Sequence, residues 1–447
     1  MPFKPISNIL IIAGCLIFIA WFGVAILSFR EKEKLATKRS LMLACLSALP
    51  FWITPILPDT VQSMWSTGLL ALTGLFIGIL FIPIRAKSDF VQNIPDSHCF
   101  DERETMFSRA ELRPGSAEYD HYYRNHPGQK APDDRFRQKP GLLSPDTQFF
   151  YPEYFSEARR LFDQIAARRD EVDGPVQLQK KSLSPAEATR TLKKKILEAG
   201  AHSVGITQLK PYHLYAVSGR GDRYGQPVDL SRRWAIVFTV EMDFNAVAYA
   251  PKAPTVAESA RQYLNSGQIA LEIAREIRSW GYASRAHIDG NYLLICPLVA
   301  RDAGLGEIGR MGLLMTPKLG PRVRIAVVTT ELPLTLDKQK PNFSVEQFCE
   351  RCKKCADNCP ANAIPKGKRE ILQGLPRWKI NDVRCFTYWC AVGTDCAQCM
   401  RVCPYSHPNA FFHNVIRFGI RHFPVFRRFA LQMDNVLYGK YPQPRSA

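Results

Sequence analysis

The sequence predicts a chain in three parts: a membrane anchor of three helices, a layered α/β (α+β) domain, and a small domain organised by cysteines. Apolar runs long enough to cross a bilayer occur within residues 1–90. Helix and strand patterns alternate over residues 184–345. Nine of the thirteen cysteines in this 447-residue chain lie between Cys349 and Cys403. Cysteines grouped in this way are typical of metal sites in a reducing compartment.

The anchor is predicted from three apolar runs, Ile9–Ser28, Leu41–Leu57 and Met64–Ile84. Each approaches the length needed to cross a hydrocarbon core of about 30 Å. The second run is the shortest and contains Pro50 and Pro55. A cleaved signal peptide is the alternative for the first run. Its apolar stretch is long for such a peptide, and two further runs follow it.

Basic residues are distributed unevenly around these runs. The loop REKEKLATKR after the first run is strongly basic, the loop PDTVQS has no basic residue, and Arg85 and Lys87 follow the third run. Because basic loops stay on the cytoplasmic side, we expect the N-terminus outside and everything after residue 90 in the cytoplasm. The net charge of +18 then favours anionic membrane lipid as a partner, and no nucleic acid is expected.

Residues 91–183 are predicted to form an extended, hydrophilic arm whose aromatic residues pack on the core. Residues 184–345 carry the alternating patterns of the α/β domain. A helix begins at the capping residue Ser184 and ends at Gly200, and a second helix pattern covers residues 255–282. The segments HSVGIT, RRWAIVFTVEM and RVRIAVVTTEL are predicted strands.

Cysteine spacing is the most specific signal. Residues 346–410 contain a C-x2-C-x2-C-x3-C-P run and then a C-x2-C-x3-C-P run. This order is typical of ferredoxin-like domains with two 4Fe–4S clusters, in which the fourth cysteine of a run binds the other cluster. The first cluster would be held by Cys349, Cys352, Cys355 and Cys403. The second would be held by Cys359, Cys396, Cys399 and one upstream cysteine, either Cys385 or Cys390. A structural zinc site is the alternative, and seven cysteines in this order with both prolines disfavour it.

A glycine motif, GLGEIG at residues 304–309, matches the G-x-G-x-x-G pattern of dinucleotide-binding sites. The preceding segment NYLLICPLVARDA contains Pro297 and does not read as a clean strand, so the context disfavours nicotinamide binding. We expect these glycines to allow the backbone to approach a flat or bulky ligand.

The segment AHIDGNYLLICPLVARDAGLGEIGRMGLLMTPKLGPRVRIAVVTTELPL, residues 286–334, resembles the corrinoid-binding core of reductive dehalogenases. Motifs of the type GLGE, TP and GPR-x-R, followed by two cysteine runs, occur in the same order over about residues 98–410. The resemblance implies a corrinoid (cobalamin) beside the two clusters and a catalytic domain of nitroreductase-like type. The segment RCFTYWCAVGTDCAQCMRVCPYSHP also resembles the family's second-cluster segment, which implies Cys385 as the remaining ligand.

The same resemblance implies site residues. Tyr263 stands at the position of the family's proton donor, and Arg324 is the basic residue expected to hold the leaving anion and to favour the tyrosinate. The simpler alternatives are a packed core tyrosine and a salt-bridged strand arginine. Positions expected to contact the corrinoid are His287, Asp289, Gly290, Asn291, Gly304, Gly306, Glu307, Gly309 and Pro321. Asp289 replaces an asparagine of some members, and His287 is expected to be a satisfied surface histidine rather than a cobalt ligand.

The first hypothesis is therefore a membrane-anchored, cytoplasm-facing oxidoreductase that cleaves a carbon–halogen bond in a small molecule. Its electrons would come from a ferredoxin, a flavoprotein or a quinol-linked donor. One alternative is an enzyme like epoxyqueuosine reductase, which is disfavoured by the apolar runs and by the short segment after Cys403. Another is an electron-transfer subunit without a reacting substrate. The basic, aromatic tail, residues 411–447, is expected either to lie on lipid or to pack on the ferredoxin-like domain.

Overall fold

The computed structural model describes residues 4–82, 100–228, 232–337, 343–372 and 375–445. The chain divides into two compact units. The anchor unit consists of Met1–Lys87 and Asn409–Pro442, and the sheet unit consists of Ser88–Pro408 and Gln443–Ala447.

The anchor unit begins with three long helices, α1 (Lys4–Arg30), α2 (Lys34–Trp52) and α3 (Asp59–Leu80). All three are long and apolar enough to cross a membrane, α2 together with the short turn that follows it. Pro50 lies inside α2, close to its end. The predicted third run extends to residue 84, and its last two residues, like Arg85 and Lys87, lie outside the described residues.

Residues 100–183 are mainly helical, whereas the sequence predicted an extended arm. After the short strand β1 come four helices: β1 (Phe100–Asp101), α4 (Met106–Glu111), α5 (Ala117–Asn125), α6 (Pro127–Arg137) and α7 (Pro152–Ala166). Capping residues begin two of these helices: Thr105 accepts from Ser108 N, and Ser116 accepts from Tyr119 N. Of the aromatic residues that were expected to pack on the core, Tyr119, Tyr122 and Tyr123 are buried in a separate cluster with Leu112.

Helices and strands alternate through the middle of the chain, as predicted. In order they are α8 (Pro185–Glu198), β2 (Ser203–Gln208), β3 (Tyr215–Val217), β4 (Trp234–Glu241), α9 (Phe244–Val247), α10 (Ala253–Ser279), β5 (Ser284–His287), α11 (Cys296–Asp302), β6 (Glu307–Ile308), β7 (Leu314–Met315) and β8 (Val323–Thr330). Ser184 caps α8 by accepting from Glu187 N at 3.2 Å. The predicted helices and strands of this region are thereby confirmed.

The central sheet has the order β2-β4-β8-β5, and each neighbouring pair is antiparallel. Helices α7, α8 and α10 contribute to the core that covers one face, which includes Ile236 and Phe238 of β4. The alternate residues of β4, Ala235 and Val237, face a second core that includes α11. This alternation follows from the two-residue period of a strand.

The cysteine-rich segment is built from short elements: α12 (Ser344–Cys352), α13 (Lys354–Asp357), β9 (Glu370–Leu372), β10 (Leu375–Arg377), α14 (Asp382–Val392) and α15 (Gln398–Arg401). Two further helices, α16 (Phe411–His422) and α17 (Pro424–Tyr438), belong to the anchor unit. The Phe423 ring lies 5.0 Å from the Phe81 ring, between centroids, and the Phe429 ring lies 5.7 Å from Phe76. The C-terminal helices therefore pack on the N-terminal ones.

Candidate redox site

Four cysteine thiols form a first group in the sheet unit. Its members are Cys349, Cys352, Cys355 and Cys403. Lys353 has a φ of +54° and lets the chain turn between α12 and α13. The thiols of the other three members all act electrostatically on Cys403. Burial raises the pKa of Cys349 to about 11 and that of Cys403 well above its ordinary value. Burial thus disfavours the free thiolates, and binding to a metal would compensate because it stabilises the thiolate form.

A second group contains Cys359, Cys385, Cys396 and Cys399. Cys359 and Cys385 both act on the pKa of Cys399, and Cys385 also acts on that of Cys396. The loop turns through left-handed backbone at Cys396 and the following alanine, with φ values of +61° and +51°. Burial raises the pKa of Cys385 and of Cys399 to about 12. Two groups of four thiols each fit two 4Fe–4S clusters.

Cysteine spacing alone does not decide whether Cys385 or Cys390 belongs to the second group, but their positions on helix α14 distinguish them. Cys385 and Cys390 are five residues apart, so their side chains point about 140° apart around the helix. Cys390 lies in an apolar cluster with Met106 and Phe136, and burial alone raises its pKa, to about 11. This arrangement supports Cys385 as the fourth member of the second group.

The GPR segment connects β8 with the second cysteine run. Gly320 has a φ of +56°, and a Cβ there would come 2.6 Å from the Tyr405 Cβ. After Pro321, the fully buried Arg322 donates from Nε to the Ser406 carbonyl oxygen at 2.7 Å. Pro321 thus lies where the sheet meets the residues after Cys403.

Tyr263, predicted as the proton donor, lies against Arg324. The Arg324 Cζ is 4.7 Å from the centroid of the Tyr263 ring. Its Nη2 donates to Asp395 Oδ2 at 2.9 Å and also bonds Ser259 Oγ. Ser259 Oγ in turn donates to Asp395 at 2.5 Å. Ser259 and Tyr263 are one turn apart on α10, so both reach the same site.

Arg324 favours the tyrosinate, as expected, but its influence on the pKa of Tyr263 is outweighed in this arrangement. The Arg324 charge is the largest single influence on the pKa of Tyr263 and lowers it. Burial and the groups Asp289, Asp395 and Cys296 outweigh that influence, so the net pKa of Tyr263 is raised. The reason is that Arg324 is already paired with a carboxylate. Tyr263 therefore remains a neutral phenol, which is the form that can donate a proton.

His287 is satisfied, as expected, but it is buried rather than on the surface. Its Nδ1 accepts from Leu293 N at 3.2 Å, so its Nε2 carries the proton and pairs with Thr329 Oγ1 at 3.0 Å. Burial and three nearby arginines hold the pKa of His287 well below its ordinary value. Both ring nitrogens are engaged, so His287 does not offer cobalt a ligand in this arrangement.

The loop after β5 lies against the segment that follows α7. Arg169 Nε donates to the Asp289 carbonyl oxygen at 3.2 Å, and Asn291 Nδ2 donates to the Arg169 carbonyl oxygen at 2.7 Å. Gly290 has a φ of +71°, and a Cβ there would overlap the Arg169 guanidinium. A Cβ on Gly267, one turn after Tyr263 on α10, would lie 3.6 Å from Ile288, the residue before Asp289, so this loop lies beside the part of α10 that carries Tyr263.

The GLGEIG motif links the end of α11 to the β6–β7 hairpin, and this is not the strand-to-helix context of a dinucleotide site. Gly304 ends the helix with a φ of +79°. A Cβ on Gly306 would overlap the Met315 carbonyl oxygen. Gly306 therefore lets its backbone approach strand β7 of the same chain, not a bound ligand.

The end of the same motif borders the first thiol group. A Cβ on Gly309 would lie 3.8 Å from the Cys349 sulfur. Glu307 Oε2 accepts from Val345 N at 3.2 Å, beside the start of α12. Arg310, which directly follows the motif, is buried and donates from Nε to the Cys349 carbonyl oxygen at 3.0 Å. This motif thus holds α12, which carries two of the thiols.

Sequence reasoning missed Asp395, Ser259 and Arg310. Asp395 stands directly before Cys396, and an acidic residue beside a buried cysteine run is a usable signal. Arg310 follows the glycine motif directly. Ser259 gives no signal of its own, because a serine in a long helix is more often a surface residue.

Two sequence comparisons agree with this geometry. The family profile described as "4Fe-4S dicluster domain" matches residues 348–407. The chain is 37% identical over 211 residues to a tetrachloroethene reductive dehalogenase of Desulfitobacterium hafniense, and the match covers 45% of this chain and 38% of that protein. The chain therefore matches less than half the length of this curated relative.

More distant relatives agree with the resemblance. An epoxyqueuosine reductase of Aliivibrio fischeri is 26% identical over 155 residues, which is 31% of this chain and 37% of that protein. The structure of the catabolic reductive dehalogenase NpRdhA has a TM-score of 0.64 at 24% identity, covering 77% of this chain and 47% of that one. This likeness shows a reductive dehalogenase-like fold with a ferredoxin-like 4Fe–4S domain. The predicted resemblance to reductive dehalogenases, with epoxyqueuosine reductases as weaker matches, is confirmed.

Proposed function

We propose that this chain, a relative of the reductive dehalogenases, is a membrane-anchored, corrinoid-dependent iron–sulfur reductase that removes halogen from a small organohalide. The observation that carries the proposal is the position of Arg324 between the Tyr263 ring and Asp395. Asp395 precedes Cys396 of the second thiol group. This contact unites a proton donor, a cation and a cysteine loop in one site.

The cofactors follow from the residues that surround the site. Each thiol group would hold one 4Fe–4S cluster, and the second would include Cys385. The loop after β5, the glycine motif and Pro321 are the proposed corrinoid contacts, in a domain of nitroreductase-like type, and the antiparallel sheet covered by α10 supports that type. When bound, a corrinoid supplies reduced cobalt that can break a carbon–halogen bond with electrons from the clusters. His287 would line this site without binding the metal.

The chain's own residues would manage the proton and the released anion. Replacing halogen by hydrogen consumes two electrons and one proton and releases a halide ion. The Tyr263 hydroxyl would donate that proton, and its raised pKa keeps it protonated until the reaction requires it. The Arg324 guanidinium would then stabilise the phenolate or the halide that forms beside it.

We also propose that the sheet unit faces the cytoplasm and that α16 lies on the lipid surface. The Phe412 ring packs against Gly23 of α1, and Phe423 packs against Phe81, just after α3. Three apolar side chains of α16, at i, i+4 and i+7, form one exposed stripe: Phe411, Val415 and Phe418. Arg421 and Arg428 are exposed and could meet anionic headgroups.

The test of the function is an anaerobic preparation of the full chain in detergent. We expect about one cobalt and about eight iron atoms per chain, and halide release from chlorinated ethenes or halogenated phenols with a chemical reductant. Iron without cobalt binding would favour an electron-transfer subunit. Cobalt binding with reduction of epoxyqueuosine in tRNA, and no halide release, would favour the other alternative. To identify the physiological electron donor, the rate of halide release is compared with a ferredoxin, a flavoprotein and a quinol-linked donor in the same assay.

A further inference from the structure

Three arginines beside the loop after β5 take no part in the chemistry proposed above. They are Arg223, Arg232 and Arg285, called here the arginine cluster. Arg232 and Arg285 line a small cavity together with His287, Thr329 and three leucines. The cavity is thus apolar on one side and cationic on the other, which is the usual character of a site for an amphipathic ligand.

Among the described residues, the arginine cluster carries more positive charge than the one carboxylate paired with it neutralises. Within this part of the chain, the carboxylate that pairs with the arginine cluster is Asp173. Asp173 Oδ1 accepts from Arg232 Nη2 at 3.1 Å, and Asp173 Oδ2 accepts from Arg285. The Asp173 side chain is 44% exposed, whereas that of Arg285 is 3% exposed. Over the described ranges, Asp173 therefore pairs with two of the three guanidinium groups, and Arg223 donates to the neutral Asn291 amide oxygen instead.

Two donors in the cluster have no partner among the described residues. The Nε atoms of Arg232 and Arg285 are buried and make no hydrogen bond within the part of the chain that the structure describes. Burial lowers the pKa of Arg285 to about 10, and the attraction of Asp173 does not compensate. A buried charge with an unused donor is costly, so the cluster is arranged for an anion that supplies the missing acceptors.

The cluster is continuous with the proposed corrinoid contacts. Asn291 Oδ1 accepts from Arg285 Nη2 at 2.6 Å and also from Arg223. Asn291 belongs to the loop that includes Asp289, which borders Tyr263. A ligand that extends along this loop from the Tyr263 site would therefore reach the arginine cluster.

We propose that the arginine cluster binds the phosphodiester of the corrinoid, the anionic group that connects the ring to its lower base. A phosphodiester offers oxygen acceptors that match the forked donors of arginine. The cavity walls would take the apolar groups beside it. This inference rests on the proposed function and extends it to the part of the cofactor that holds no metal.

The test compares two corrinoids that differ at this group. Cobalamin contains the phosphodiester and the lower base, whereas cobinamide ends before them. Each is titrated into full-length apo-protein in detergent, and the dissociation constant is read from the quenching of tryptophan fluorescence, so no turnover is needed. Iron content and the melting temperature without ligand report whether each variant is folded.

Arg232→Gln is the main variant, because the Arg232 side chain is 28% exposed and its replacement leaves no large cavity. We expect cobalamin to bind about ten- to a hundredfold more weakly, the loss that follows from removing hydrogen bonds to a charged group. Cobinamide should bind as it does to the wild type. Arg223→Gln should behave in the same way. Arg233→Gln is the matched control, because it removes the same charge from the adjacent, exposed position.

Equal weakening of both corrinoids by Arg232→Gln, or no weakening of either, would overturn the inference. Inorganic phosphate separates a free anion from the cofactor's own group. If phosphate raises the melting temperature of the wild type but not of Arg232→Gln, and both corrinoids bind alike, the cluster is a free-phosphate site and the inference is wrong. If the wild type binds neither corrinoid, the proposed function itself fails.

Discussion

Arg324 influences Tyr263 in two opposed ways. Its positive charge, stacked over the ring, favours loss of the phenolic proton, while its pairing with Asp395 keeps that influence below the effect of burial. The outcome is a neutral acid beside a cation that can stabilise the conjugate base. This balance is useful only if a proton must be transferred at that place.

Removing the Tyr263 hydroxyl tests this role. We expect Tyr263→Phe to lower the rate of halide release by a factor of about 100 or more, the usual contribution of a positioned general acid. Cobalt and iron content should not change, because the ring remains. Tyr282→Phe is the control, since it removes a hydroxyl that bonds the Lys181 carbonyl oxygen elsewhere in the sheet unit. Wild-type turnover in Tyr263→Phe would assign the tyrosine to packing.

The pH dependence follows from the direction of the same shift. A phenol with a pKa above its usual value of about 10 keeps its proton throughout the neutral range. We therefore expect the rate of halide release to show no decline due to Tyr263 between about pH 7 and pH 9. The measurement is a pH–rate profile of the wild type beside Tyr263→Phe. An alkaline decline in this range that disappears in the variant would instead indicate a lowered pKa.

Single substitutions also test whether Cys385 or Cys390 is the remaining ligand of the second cluster. We expect Cys385→Ala to reduce the iron content from about eight to about four atoms per chain, because one cluster loses a ligand. Cys390→Ala should keep both clusters, since its thiol lies among apolar side chains. Iron analysis and the electron paramagnetic resonance of reduced protein measure both. Equal iron loss in the two variants, or tightly bound zinc, would contradict the assignment.

At the scale of elements, the sheet unit depends on a helix that the sequence analysis placed in an extended arm. Phe155, Ala158, Leu161 and Ile165 of α7 are buried in the same core as α10. Gly267 of α10 permits this contact, because a Cβ there would overlap Ile165. Helix α7 is therefore a part of the core that supports Tyr263.

Shortening Ile165 tests the contribution of α7. We expect Ile165→Ala to destabilise the sheet unit by about 2–5 kcal/mol, because it removes a fully buried side chain and leaves a cavity. Arg160→Ala on the exposed side of the same helix should change stability by less than about 0.5 kcal/mol. Thermal unfolding of both variants in detergent compares them. Equal melting temperatures would mean that α7 is dispensable for the fold.

At the scale of the whole molecule, the proposed orientation in a membrane would decide which compartment supplies electrons. The basic loop after the first span predicts a cytoplasmic sheet unit. A reporter enzyme that is active only outside the cytoplasm should be silent when fused at Ala447. The same reporter inserted at Pro58, between α2 and α3, should be active. The opposite pattern would reverse the orientation and the expected donors with it.

The sequence allowed different parts of this molecule to be predicted to different extents. The cysteine runs and the α8–β8 pattern are local signals, and the structure places those elements as predicted. The pairing of Tyr263 with Arg324 was implied by resemblance rather than by spacing. The links to Asp395 and among Arg223, Arg232 and Arg285 join distant segments, so no local pattern indicates them. Helices α4, α5 and α6 are short, so they show few turns of a helical period. Helix α7 does have a periodic apolar face, and the sequence analysis overlooked it among the polar residues of the predicted arm.

The sharing of the anchor unit between both ends of the chain has a consequence for biosynthesis. Helices α1–α3 leave the ribosome first, but α16 and α17, which pack on them, emerge only after the sheet unit. The anchor can therefore be completed only on chains whose enzyme part has already been made. The same connectivity joins the sheet unit to the anchor unit both before Ser88 and after Pro408, so one proteolytic cut between residues 83 and 99 would leave it covalently joined to α16 and α17.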